Sequence, residues 1–252
     1  MKVGMCVTRI SHQHDILFRV KQIENNRVIL QGEVIRLIAD APLEDLVVRD
    51  EKEAKLILPR LPRGDQMRGK TITGLVLHVD GDEHYLKKAM IAYKEYGVSA
   101  IGYYVKENEL SYRIGALLKK HHPDIVVITG HDALDGQDKN DIRSYRTSKD
   151  FMEAVHIARD YQSNKDALVI IAGACQSYYE GLLQAGANFA SSPTRENIHL
   201  LDPVLIATQI AQTEVHEYAP IHEILKHTIS HRLGGIETKG VARKSYIGGV
   251  ET

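Results

Sequence analysis

Two residues of this 252-residue chain have the chemistry of a nucleophile and its proton carrier. Cys175 ends the run Ala167-Leu168-Val169-Ile170-Ile171-Ala172-Gly173-Ala174-Cys175 and is followed by Gln176-Ser177. His131 ends the run Asp124-Ile125-Val126-Val127-Ile128-Thr129-Gly130-His131 and is followed by Asp132. A free thiol, with a pKa of about 8.5, is mostly protonated at neutral pH. A neighbouring imidazole takes that proton and later returns it to a leaving amine. The chemistry is acyl transfer at a carbonyl carbon. Backbone N–H groups around residues 173–176 are candidate donors to the oxyanion. Each residue alone also fits a bland role, because a cysteine after a strand is often a small core hydrophobe. The pair at two strand ends favours catalysis.

The elements that must hold this pair read clearly. Both runs are short, β-branched and apolar on both alternating faces, the pattern of strands buried in a parallel sheet. Ligands collect at the carboxyl edge of such sheets. One strand–loop–helix–strand unit fills the 44 residues between His131 and Cys175. The pattern predicts strands over 74–79, 99–105, 124–129, 167–172 and 188–191. It predicts helices over 83–96, 110–121, 148–159, 178–186, 203–212 and 221–231, with Ser148 as an N-cap. A polar loop is predicted over 135–147. This alternation specifies an α/β fold with a parallel sheet between two helical layers.

The first 50 residues differ. Short strands are predicted over 3–10, 15–23, 27–31, 33–39 and 46–48, with a hairpin turn at Asn25-Asn26. So many short strands suggest a small β-barrel of SH3-like size. A unit this small is near the lower limit of independent stability and should pack on its neighbour. The predicted organisation is a small barrel domain over 1–52, a charged Pro/Gly linker over 53–72 and an α/β catalytic domain over 73–252. The linker carries Arg60, Arg63 and Arg68, which are exposed candidates for self-cleavage.

Composition narrows the function. Basic residues number 32 and acidic 33, so no global field favours nucleic acid. The N-terminus lacks the apolar region of a signal peptide, and no stretch approaches the roughly 20 apolar residues that span a bilayer. A cytosolic protein is expected. Two cysteines make neither a disulfide scaffold nor a four-thiolate zinc site. His216, His222, His227 and His231, with Glu217 and Glu223, lack the spacing of a metal motif. Gly74 and Gly81 do not form a phosphate loop. No metal and no cofactor are expected.

The strand–His and strand–Ala-Cys arrangement resembles the caspase-like cysteine peptidases, which include the gingipain and clostripain types. In that group glycine usually follows the histidine; here Asp132 does. The caspase Q-A-C-x-G becomes Gly173-Ala174-Cys175-Gln176-Ser177. The expected oxyanion donors are the N–H groups of Gly173 and Asp132. A closer resemblance, to the YabG family of sporulation proteases, rests on Val34-Ile35-Arg36-Leu37-Ile38-Ala39-Asp40, Leu77-His78-Val79-Asp80-Gly81-Asp82-Glu83, Ile128-Thr129-Gly130-His131-Asp132-Ala133 and Ala172-Gly173-Ala174-Cys175-Gln176-Ser177. Residues 186–193 and 233–238 belong to it too. It implies an endopeptidase made in the mother cell and associated with the forming spore coat. It also implies spore-coat and coat-assembly proteins as substrates, cleavage near arginine, and self-processing. The catalytic domain is then expected to be caspase-like.

Arginine selection needs a carboxylate at the base of a pocket. Asp80 and Asp82 follow the first strand of the α/β domain and are the candidates, although Asp82 would also cap the next helix. Asp132 could orient His131 or pair with substrate. Ser191 and Ser192, after the fifth strand of that domain, are candidates for the substrate backbone. Two rival readings are a non-catalytic scaffold of coat assembly and a serine peptidase using Ser177, Ser191 or Ser192. The second lacks a G-x-S-x-G elbow.

Overall fold

The computed structural model describes residues 1–61 and 70–245. Five strands open the chain: β1 (Cys6–Arg9), β2 (Phe18–Glu24), β3 (Arg27–Gly32), β4 (Ile38–Pro42) and β5 (Leu46–Val48). They form one antiparallel sheet in the order β4-β3-β2-β1-β5. The β2–β3 hairpin turns at Asn25, whose φ of 51° lies in the left-handed region that asparagine tolerates. Val7, Phe18, Val20, Val28, Leu30 and Ala41 make a small core of their own.

The strand expected over 33–39 begins only at Ile38. Residues 33–37 instead leave the small sheet as a loop and pair with the larger domain. Leu200 N donates to Val34 O (2.8 Å), Arg36 N donates to Ile198 O (3.2 Å), and an antiparallel bridge joins Ile35 to His199. Tertiary pairing overrides local β propensity here. Further on, Leu56 and Leu58 form no strand and pack on the larger core.

After β6 (Lys70–Ile72) the chain alternates: β7 (Val76–Asp80), α1 (Glu83–Glu95), β8 (Ala100–Tyr104), α2 (Leu110–His121), β9 (Ile125–Thr129), α3 (Ser148–Tyr161), β10 (Val169–Ala172), α4 (Tyr179–Ala185) and β11 (Phe189–Ser191). It ends with α5 (Asp202–Gln212), β12 (Tyr218–Ala219), α6 (Ile221–Lys226), β13 (Leu233–Gly235), β14 (Thr238–Lys239) and β15 (Arg243–Ser245). The main sheet has the order β13-β11-β10-β9-β7-β8. Its strands β8 to β11 are parallel, and β13 closes the edge antiparallel to β11. Alternation along β9 feeds two cores. Ile125 and Val127 face one with residues of α1 and α5, whereas Val126 and Ile128 face the other with α2, α3 and α4. Among the described residues no helix is long and apolar enough to cross a membrane.

The strand order reverses at β7. The chain passes to β8 on one side, then returns to β9 on the other. The helices that leave β7 and β9, α1 and α3, pack on opposite faces. Such a reversal opens a crevice at the carboxyl ends of the two strands.

Two helix ends depart from expectation. α6 stops at Lys226 because side chains take the last carbonyls: His227 Nδ1 donates to Glu223 O (2.8 Å) and Thr228 Oγ1 to Leu225 O (2.7 Å). Ser148 is the first residue of α3, and its hydroxyl caps nothing because it is committed to Asp132.

Glu33 clamps the small sheet to α1. Its buried carboxylate pairs with Arg19 Nε (2.5 Å) of β2 and with Lys88 of α1, and lies 3.4 Å from His84 Nε2. Burial alone would raise its pKa. The approach of His84 and the bond from Lys88, with the charges of Lys88 and Arg19, overcome this and bring it to about 2. The folded pKa lies below the unfolded one, so the clamp stabilises fully above about pH 4.5 and is lost as pH falls toward 2. At about 1.36 kcal/mol per pH unit the gain is at most about 3 kcal/mol. Glu33→Gln is expected to lower the melting temperature most near neutral pH. The gap to the wild type should narrow steadily between about pH 5 and pH 3 in thermal melts. A gap independent of pH would remove the carboxylate charge from the account.

Candidate active site

Cys175 and His131 follow the carboxyl ends of the neighbouring strands β10 and β9. In the β9–β10 ladder Ile128 stands opposite Ala172, an offset of 44 residues. Each residue lies three positions past that pair, beyond the carboxyl ends of the two strands. No hydrogen bond joins them among the described residues. Cys175 is 4% exposed. Its Sγ–H donates to Arg36 O (2.8 Å), and Ile198 N donates to Sγ (3.3 Å). Burial pushes the thiol up to about 11, against the opposing effects of the Ile198 N–H and the Arg36 guanidinium. In this arrangement the sulfur is protonated.

His131 is held at both ends. Its backbone N–H donates to Glu107 Oε1 (2.7 Å), and its Nε2 faces Asp82 Oδ2 at 2.8 Å. Gly81 and Gly130 leave room for the Glu107 carboxylate: a Cβ would lie 2.2 Å from Glu107 Oε1 at the first and 2.5 Å at the second. Asp82 caps α1 through Oδ1, accepting from His84 N (2.8 Å) and Tyr85 N (3.4 Å). Gln31 Nε2, from the small sheet, donates to Oδ2 (2.5 Å). Asp82 therefore does both things: it caps the helix and orients the histidine. Burial would raise its pKa, but the His131 bond and charge hold it low. An Nε2–H donated to Asp82 leaves Nδ1 as the ring nitrogen able to carry a proton.

Asp80, two residues earlier, has a different partner. It ends β7 at the crevice and is fully buried. The Arg36 guanidinium meets it with both terminal nitrogens, Nη1 to Oδ1 (3.1 Å) and Nη2 to Oδ2 (2.5 Å). Thr129 Oγ1 also donates to Oδ2 (2.9 Å), and Asp82 N to Oδ1 (2.9 Å). Below, the Tyr85 ring stacks 4.8 Å from the guanidinium carbon. Tyr85 OH donates to Gly32 O (2.8 Å) and Ile35 O (2.9 Å), and its ring centroid is 5.8 Å from that of His131. Burial alone would raise the Asp80 pKa. The Arg36 charge, with bonds from His78 and Arg36, holds the carboxyl well below the usual range.

The remaining expected residues surround this centre. The Asp132 carboxylate accepts from Ala133 N (2.9 Å), Thr147 N (2.9 Å) and Ser148 Oγ, while Ser148 Oγ accepts from Tyr178 N (2.7 Å). It thus ties the His131 loop to α3 and to the segment after Cys175, and its side chain does not touch His131. Its backbone N–H has no acceptor among the described residues. The Gly173 N–H donates to Ile128 O (3.0 Å), within reach of the ladder rather than of a bound carbonyl. Ser191 and Ser192 are buried at the end of β11, and Ser192 Oγ accepts from Glu196 N (3.0 Å). Ser177 Oγ accepts from Ala174 N (2.8 Å). Of the linker arginines, Arg60 is exposed; Arg63 and Arg68 lie outside the described residues. Glu214, His216 and Glu217 offer three ligand atoms within 4.8 Å of one another between α5 and β12. Lys244 already pairs with Glu214.

Sequence reasoning missed Arg36, Tyr85, Glu107 and Gln31. Arg36 had a signal, a lone charge inside the apolar run 34–39. Glu107 had none beyond the two glycines that accommodate it.

Comparison with known proteins matches this sequence to a family. The model of a family described as YabG peptidase U57 matches residues 2–63 and 60–247, two stretches that meet in the linker. The sporulation-specific protease YabG of Bacillus subtilis (strain 168) is 43% identical over 279 residues, covering 96% of each chain. The chain belongs to the YabG family of peptidases, U57, and is a protease of sporulation acting on protein substrates.

Proposed function

We propose that this peptidase is a cysteine endopeptidase with a caspase-like catalytic domain. The carrying observation is that Cys175 and His131 follow the carboxyl ends of neighbouring parallel strands, each three residues past the Ile128–Ala172 pair. The strand order, with only the last strand antiparallel, and the helices on both faces support the caspase-like reading. The five-stranded antiparallel sheet of the N-terminal unit supports a barrel of SH3-like size.

His131 Nδ1 takes the thiol proton once a substrate carbonyl reaches Cys175. The Sγ lone pair attacks the carbonyl carbon, and the Asp132 N–H, which has no acceptor among the described residues, receives the oxyanion. The imidazolium then protonates the leaving amine as the C–N bond breaks. Water hydrolyses the thioester, with His131 as base. Asp82 keeps the imidazole in the required tautomer throughout. Asp80 selects arginine, because a planar carboxylate at the base of a closed crevice accepts a guanidinium through two parallel bonds. The Arg36 side chain seated there supports that role. The substrates are spore-coat and coat-assembly proteins, processed in the mother cell at the forming coat. The serine alternative has less support: Ser177, Ser191 and Ser192 have no histidine partner among the described residues.

An arginine p-nitroanilide and its lysine and norleucine counterparts test the mechanism. Cys175→Ala and His131→Ala should each cut kcat/KM by about a thousandfold or more. Undiminished turnover by folded Cys175→Ala would end the cysteine mechanism. Asp80→Asn should erase the preference for arginine over norleucine while leaving slow norleucine turnover in place; a preference that survives would move the selecting carboxylate elsewhere. Asp82→Asn should lower kcat about tenfold to a hundredfold with little change in KM, since its partner is His131. A change confined to KM would make Asp82 a substrate-binding residue instead.

A further inference from the structure

We propose that the Arg36–Leu37 peptide bond is this chain's own substrate, cut in cis by Cys175. The inference rests on the cysteine-peptidase reading and adds the bond and the geometry. Residues 33–37 lie across the site as a substrate would. The Arg36 carbonyl oxygen is 2.8 Å from Cys175 Sγ. The Arg36 side chain fills the crevice, fully buried, with its guanidinium on Asp80. On the other flank the backbone of Val34 and Arg36 bonds antiparallel to Ile198 and Leu200. An extended peptide added to a strand-like edge, with one side chain in a specific pocket, is a general mode of peptide recognition.

The turn after Arg36 presents its carbonyl. Leu37 N donates to Ile35 O (2.8 Å), and Gly32 N donates to Leu37 O (2.8 Å). Gly32 permits the close approach, since a Cβ there would stand 2.2 Å from Ile35 O. Tyr85 braces the same turn through Ile35 O and also faces His131. A purely structural loop has little use for this arrangement. Replacing a buried ion pair by apolar residues is often neutral or stabilising, so Arg36–Asp80 is weak evidence for a stability role. It is stronger evidence for recognition. Arg60, the described member of the linker arginines, makes none of these contacts.

The step balances as hydrolysis. Cys175 Sγ bonds to the Arg36 carbonyl carbon, the bond to Leu37 N breaks, and His131 protonates that nitrogen. One water then releases the Arg36 carboxylate and regenerates the thiol. The pieces 1–36 and 37–252 stay paired through the β3–β4 ladder, from Arg27 opposite Pro42 to Gln31 opposite Ile38. Cleavage frees Arg36 to leave the crevice, which then accepts arginines of other proteins.

The full chain, made by cell-free synthesis, would be followed by intact-mass spectrometry and N-terminal sequencing alongside arginine p-nitroanilide turnover. The expected products are 1–36 and a piece beginning at Leu37. The rate constant should be unchanged over about tenfold dilution. Cys175→Ala should stay whole, and stay whole at this bond when mixed with active wild type. Arg36→Gln should not be cut there, and Arg36→Lys, which keeps the charge, should be cut at least about tenfold more slowly. A wild-type chain that turns over the anilide through Cys175 but keeps the 36–37 bond overturns this proposal and leaves the peptidase reading standing. So does a rate that rises with concentration, or a first cut at Arg60. A chain that does neither loses both readings.

Discussion

A single buried ion pair, Arg36 on Asp80, joins the two halves of this protein and sets the geometry of the site. Both side chains are fully excluded from water. Removing one partner of such a pair costs about 3–5 kcal/mol, because the other charge is left buried and alone. The fold surrounds the pair with donors and acceptors to meet that constraint. Thr129, Gly130 O and the Tyr85 ring all contact one of the two charges. The crevice between β7 and β9 is thereby closed by a residue of the loop that leaves the N-terminal sheet between β3 and β4. Gln31 on Asp82 and Glu33 on Lys88 extend the same docking surface to either side.

The exit of β7 carries two carboxylates with different tasks, and environment divides the labour. Asp80 points into the crevice and meets a guanidinium. Asp82 sits at the start of α1 and meets an imidazole. A buried carboxylate is tolerable only where a cation or several donors meet it, and each has its own set. Gly81 between them has no side chain because Glu107 needs the space to reach the His131 backbone. Four consecutive residues, Asp80 to Glu83, thus supply a partner for Arg36, a clearance, a histidine support and a helix start.

Much of this was legible in the sequence. The β/α alternation and the buried strands follow from apolar patterning, which the core enforces on every strand. Position at a strand end singles out Asp80 and Asp82 as candidates for selecting arginine; the structure sets Arg36 on the first and His131 on the second. What stayed hidden depends on contacts between distant segments. Residues 33–39 read as a strand, and only pairing with Ile198–Leu200 turns the first half into a loop. Ser148 has the composition of an N-cap, but Asp132 takes its hydroxyl. Asp132 reads as a candidate for orienting His131, whereas its carboxylate braces Thr147 and Ser148. Glu107 carries no local pattern. Each of these roles is fixed by a partner more than ten residues away, which periodicity does not encode.

On the proposed reading the same loop imposes two restraints on the nucleophile, and they share one cause. Arg36 fills the pocket that an arginine substrate would need. Its carbonyl and the Ile198 backbone also enclose Cys175 Sγ, and that burial is the largest factor raising the thiol pKa to about 11. A thiol so raised is a poor nucleophile toward anything that cannot engage His131 at the same moment. In the intact chain the carbonyl seated against the sulfur is that of Arg36. Departure of Arg36 would clear the Asp80 carboxylate and admit solvent to the sulfur in one event. Pocket and nucleophile are therefore released together, because one segment of seven residues, 32–38, covers them both.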